Sequence, residues 1–160
     1  MRAFVVLLLA IVFFGFSCKK NTEDTGLDFN EQLALDSAAI ADYLTANNIT
    51  DVMTDQTGYL MYVVHEEGDG VVPLVTDSVV VSYVGRLLAT EEEFDSGDHS
   101  EFKVNGLITG WQIMLGLMHE GDSVTIYVPS GFAYGKTGSG DKIPANANLI
   151  FGMKLHKVFQ

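Results

Sequence analysis

Cysteine is nearly absent from this chain. Cys18 is the only one among 160 residues, so the folded part cannot rely on a disulfide even in an oxidising compartment. Basic residues are also scarce. Nine Lys and Arg face 21 Asp and Glu, for a net charge of −12, and such a surface repels phosphate backbones and argues against a nucleic-acid partner. No apolar run reaches the roughly 20 residues of a spanning helix. The four histidines, His65, His99, His119 and His156, are scattered without ligand spacing, so no metal site is expected, and no cofactor either. The stretch SGFAYGKT resembles a phosphate loop, but the Walker pattern needs glycine where Ser130 stands, which argues against nucleotide binding.

What is present begins with a leader. Arg2 precedes an apolar run from Ala3 to Phe16, about 14 residues long and suited to a signal-peptide core. The GFSC ending resembles the lipobox of bacterial lipoproteins, which implies lipidation of Cys18 and its exposure as the new N-terminus. An ordinary secretory signal or a short uncleaved anchor are the alternatives. Phe16 departs from the motif, where a smaller residue is usual. The segments read as a signal peptide over 1–17, a lipidated tether over 18–27, a helical segment over 28–49 and a folded domain over 50–160. The anchor implies a membrane partner and a place in the bacterial cell envelope, at the periplasmic or surface face and most simply at the outer membrane.

Along the folded part, Phe29, Leu33, Ile40, Tyr43 and Leu44 recur near a 3.6 period and predict a helix over Asp28 to Asn47. Alone it would be marginal, so it must pack on the domain or on another chain. Gly58 to Glu66 reads as a strand. Asp77 to Leu88 alternates, with Val79, Val81 and Tyr83 facing one way and Ser82 the other. A short strand is expected around Glu101 to Val104, then a short helix with Trp111, Met114, Leu115 and Met118 on one face. Two further alternating strands carry Val124, Ile126 and Val128, then Leu149, Phe151, Met153 and Leu155. Several antiparallel strands against one short helix make an α+β domain. Residues 50–160 are expected to fold alone, since all the strands lie there.

The blocks VVVSYVG, FDSG, LITGW, VPSGFAYG and IPANANLIFGMKL place aromatics beside turn signals, where ligand sites concentrate. In order and spacing they resemble the FK506-binding-protein (FKBP) family of peptidyl-prolyl cis-trans isomerases, over roughly the last half of the chain. The resemblance implies an antiparallel half-barrel sheet packed on one short helix, here preceded by an N-terminal helix. It also implies proline-containing polypeptide substrates and binding of FK506-like macrolides. Carried over residue by residue, Trp111 would floor a pocket, with Tyr83, Phe94, Phe102 and Phe151 as walls. Leu107 and Ile108 stand where familiar members have a Val-Ile pair, and the Ile108 backbone N–H would bond the substrate. Asp95 would hydrogen-bond Tyr83, Tyr134 would donate its hydroxyl to a substrate carbonyl, and Ile143 would line the rim. Phe151 serves equally well as plain core.

The chain departs from the family's pattern in its loops. The Phe94–Phe102 segment is short and lacks an arginine, Asn105-Gly106 is abbreviated, and Ala145 replaces a second proline. Two other classes remain beside the enzyme. One is a module that holds proline-containing partners with weak or no catalysis, and the other is a part of an envelope complex that makes contact through the helix of residues 28–47.

Overall fold

The computed structural model describes residues 26–160. The apolar leader, Cys18 and most of the tether lie outside the described residues.

Helix α1 spans Phe29–Ala46. Asp28 caps it, accepting from the N–H groups of Asn30 and Glu31, while the Glu31 carboxylate returns to the Asp28 N–H at 3.1 Å. This reciprocal capping satisfies donors that the helix leaves open, at about 1 kcal/mol for the cap. Asn48, at φ 55°, turns the chain away just past the C-terminal end. Leu33, Ile40 and Leu44 are buried as the period predicts, and so is Asp36. Phe29, expected on the apolar stripe, is 56% exposed, because it sits in the first turn, where the helix only grazes Gly131.

Six strands follow, with a second helix between the fourth and fifth: β1 Met53–Thr54, β2 Met61–Glu66, β3 Ser78–Leu87, β4 Glu93–Lys103, α2 Thr109–Leu115, β5 Ser123–Val128 and β6 Leu149–Phe159. They form one antiparallel sheet in the order β1-β2-β5-β6-β3-β4. The strand expected over Gly58–Glu66 starts only at Met61, since Asp55 gathers the Thr57 and Leu60 N–H groups into a turn. The larger difference is β4. It begins at Glu93, not near Glu101, and pairs with β3 from Arg86↔Glu93 to Ser78↔Lys103. Its middle, DSGDHS, lacks apolar alternation because β4 is an edge strand with most side chains in solvent.

One face of the sheet and α2 enclose the main core. Val79, Val81, Val124, Ile126, Val128, Leu149, Phe151, Met153 and Leu155 meet Trp111, Met114, Leu115 and Met118 there. On the other face Ile40 and Leu44 of α1 cover Leu88, Tyr127 and Ile150. This double cover explains why Ile126, Tyr127 and Val128 are all buried in succession. Leu33 joins the main core, so α1 shares its packing with the segment beyond residue 50. Among the described residues no helix is long and apolar enough to cross a membrane.

Candidate active site

Where β3, β4 and β6 meet the start of α2, their aromatic side chains converge on Trp111. The indole is 3% exposed. Tyr83, Phe102 and Phe151 approach it edge-on, with centroids at 5.1, 5.8 and 5.3 Å and interplanar angles of 84°, 82° and 86°. Phe94 stands edge-on to Phe151 at 5.6 Å. Each such pair contributes roughly 0.5–1.5 kcal/mol beyond its buried area, so the rings hold one another in place. They enclose a hollow of about 250 Å³ lined by Tyr83, Phe94, Asp95, Phe102, Gly106, Leu107, Ile108, Trp111, Tyr134 and Phe151.

Local sequence explains how these groups arrive. Alternation in β3 turns Tyr83 toward α2, and the register Gly85↔Phe151 sets Phe151 beside it on β6. Gly85 has a physical reason. A Cβ there would lie 2.7 Å from the Phe94 ring and 2.8 Å from that of Phe151, so only glycine lets the two rings meet over the strand. Ile108 caps α2 with an extended backbone and accepts from the N–H groups of Trp111 and Gln112. Its own N–H has no acceptor among the described residues. The Gln112 amide holds the Leu107 carbonyl at 2.7 Å, which fixes the turn that presents that N–H.

The polar rim is small. The Tyr83 hydroxyl donates to Asp95 at 2.7 Å. Burial, then the Asp95 carboxylate, push the Tyr83 hydroxyl up to about 12. Burial and Asp95 also raise the Tyr134 hydroxyl. Both are therefore hydrogen-bond donors at any physiological pH. The Trp111 indole N–H is buried with no partner among the described residues, a cost that buried polar groups in native proteins usually avoid.

Nine of the ten residues singled out in the sequence line this hollow. Ile143 does not. It is 7% exposed and lines an adjoining hollow with Phe94, Asp95, Tyr134 and Lys142, because its backbone pairs with Ser139 in a tight loop. Phe151 is at once core and wall. Lys142 stands in the sequence only as a loop position where familiar members often place His or an apolar residue; in the structure its ammonium donates to the Phe94 carbonyl at 2.9 Å and ties the loop to β4. No sequence signal marks that contact. Gly85 and Gly106 were missed, although a glycine inside the β3 alternation is itself a sign of close approach.

Across residues 71–156 the sequence matches the family of FKBP-type peptidyl-prolyl cis-trans isomerases. The chain belongs to this family. An FKBP-type isomerase of Neisseria meningitidis serogroup B, the probable FkpA, is 37% identical over 120 residues, covering 72% of this chain and 44% of the relative. The FKBP-type 22 kDa isomerase of Escherichia coli is 35% identical over 120 residues, covering 72% of this chain and 58% of its own. The chain thus spans about half the length of these relatives. Among solved structures, the peptidyl-prolyl cis-trans isomerase of Pseudomonas syringae pv. tomato superposes with TM-score 0.69 at 28% identity, covering 79% of this chain and 96% of that one. FkpA from Escherichia coli superposes with TM-score 0.67 at 32% identity, covering 81% and 63%. The FKBP match begins after β2, so α1, β1 and β2 precede the matched region.

Proposed function

We propose that the protein is a peptidyl-prolyl cis-trans isomerase acting on X-Pro bonds of exported proteins. The observation that carries this reading is the ring of aromatics around Trp111 with the acceptor-free Ile108 N–H in its lining. The isomerisation barrier of about 18–20 kcal/mol reflects amide resonance, which is lost at the twisted midpoint. The twisted amide has less charge separation than the planar one, so an apolar pocket that excludes water favours it. The prolyl ring rests on the Trp111 indole. The Ile108 N–H and the Tyr134 hydroxyl take carbonyl oxygens on either side of the bond. Asp95 holds the Tyr83 hydroxyl and so keeps the wall upright. Nothing in this scheme moves a proton, which agrees with hydroxyls held well above neutrality.

Exchange between cis and trans forms of an X-Pro peptide, measured by NMR with the purified protein, tests the reading. Acceleration that disappears in a folded Trp111→Leu variant supports it. Peptide binding without acceleration would make the site a holding module for proline-containing partners. The same apolar box is expected to admit an FK506-like macrolide, which would then compete with the peptide.

The proposal extends to the cell envelope. The apolar run ending at Phe16, followed by Ser17-Cys18, supports lipidation of Cys18, anchorage at the outer membrane and a periplasmic or surface-facing domain. Fractionation of cells carrying Cys18→Ser should show lost processing and release from the membrane. Unchanged membrane association would remove the anchor from Cys18.

A further inference from the structure

On the sheet face opposite the aromatic pocket, three adjacent strands bring together donors that the chain keeps far apart. β4 supplies Asp98 and His99, β6 supplies His156, and β3 between them supplies Ser82. Two register shifts bring them together. Val81 pairs with Ser100 and Tyr83 with Gly97, so Asp98 and His99 together oppose Ser82 alone. Val80 pairs with Lys157 and Val81 with Leu155, so His156 is an extra residue on the other side of β3. Such bulges re-aim side chains. His99 takes φ 49° at the first of them, a left-handed conformation uncommon for a non-glycine residue. The outcome is two imidazoles stacked at 4.0 Å with planes 17° apart.

We propose that Asp98, His99 and His156 form a binding site for a divalent transition-metal ion of the zinc class. The donor atoms of the three residues already lie within 4.8 Å of one another. The Asp98 carboxylate is 2.8 Å from His99 Nδ1 and accepts from the Ser82 hydroxyl at 2.6 Å, and that hydroxyl is 2.7 Å from His156 Nε2. A tetrahedral ion with bonds of about 2.0–2.1 Å needs donors roughly 3.3 Å apart. The ring lone pairs of stacked imidazoles run parallel, so binding requires the His99 ring to swing out of the stack. Asp98 and His99, with side chains 85% and 62% exposed, are free to turn, while His156 stays half-buried as the fixed point. Two imidazoles and a carboxylate are a donor set that suits zinc, with the fourth position open to Ser82 or water. Lys154, on the same strand as His156, is held by Glu66 at 2.6 Å, and the overall charge of −12 favours a cation. A bound ion would tie β4, β3 and β6 together, the strands that carry Phe94, Phe102, Tyr83 and Phe151.

Calorimetric titration of the purified, tag-free protein with Zn²⁺ tests this. The expected result is one saturable equivalent, with thermal stabilisation that rises with free metal. His99→Asn, which tolerates the left-handed backbone, and His156→Gln should each weaken binding about ten-fold or more. His119→Ala, outside the cluster, should leave it unchanged. Metal-free melting of the variants checks that they fold. No saturable equivalent, or binding that survives in the folded His99→Asn/His156→Gln double variant, would overturn the site.

Discussion

Asp36 of α1 accepts the backbone N–H of Ser130 at 2.8 Å and its hydroxyl at 2.6 Å, across 94 residues of chain. Both residues are buried, at 3% and 0% exposure. The contact joins the N-terminal helix to the turn after β5 that leads, through Phe132 and Ala133, to Tyr134. The Ser130 N–H also donates to Asn148 Oδ1 at 3.0 Å, so the turn is held from two sides.

Asp36→Ala should therefore destabilise the protein by roughly 1.5–3 kcal/mol, the usual worth of hydrogen bonds to a charged group. Urea unfolding measures it. Removal of residues 26–49 should cost more, because Leu33, Ile40 and Leu44 are withdrawn and Tyr127 and Ile150 are exposed. Each large aliphatic side chain contributes about 1.5–3 kcal/mol on burial. Residues 50–160 as stable as the longer chain would show that the helix only decorates the domain.

Trp111 carries both stability and function. Trp111→Ala should cost about 3–5 kcal/mol, as expected for a large buried aromatic. Trp111→Leu should keep more of the fold while losing the flat floor for the prolyl ring. Wild-type turnover in a folded Trp111→Leu protein would take the indole out of the site.

Tyr134 is 36% exposed at the mouth of the hollow. Tyr134→Phe removes one hydroxyl and leaves the ring. The expected loss is about 1 kcal/mol, or several-fold in rate, with an unchanged melting curve. Equal rates for the two proteins would assign the ring, rather than the hydroxyl, to the substrate.

The pH profile follows from the tyrosines. Tyr83 keeps its proton to about 12 against an ordinary 10.0, first through burial and then through Asp95. Tyr43 also rises to about 12, through burial and its bond to Glu91. A tyrosine whose folded value is raised contributes stability that is full below its unfolded value and is lost as pH rises past it. Stability should fall between pH 10.0 and about 12, and an ultraviolet titration should show four late-ionising phenols, since burial also raises Tyr127 and Tyr134. Isomerase activity should stay flat between about pH 6 and 8, since no titrating group takes part. A bell-shaped profile near neutrality would mean that proton transfer matters.

Local pattern alone determined much of this protein. The capped helix from Asp28, the alternation of Val79, Val81 and Tyr83, and the Leu149–Leu155 strand were legible because one buried face imposes a period on the residues that form it. The aromatic set was legible for another reason. Trp111 at a turn into a helix and Tyr134 after Pro129 sit in a recognisable order along the chain. Where burial is absent, the pattern is absent too, and β4 shows this. An edge strand in solvent can be DSGDHS, so nothing in its composition announced that Phe94 and Asp95 lie on it. The contacts between distant residues were decided by tertiary structure alone. Nothing in the local sequence marks Asp36 as buried; the fold brings Ser130 to it. His99 and His156 read as scattered until two bulges in neighbouring strands set their rings face to face. Sequence spacing records which face of an element a residue occupies. Strand register and the docking of α1 decide which faces meet, and those depend on the packing of the whole core.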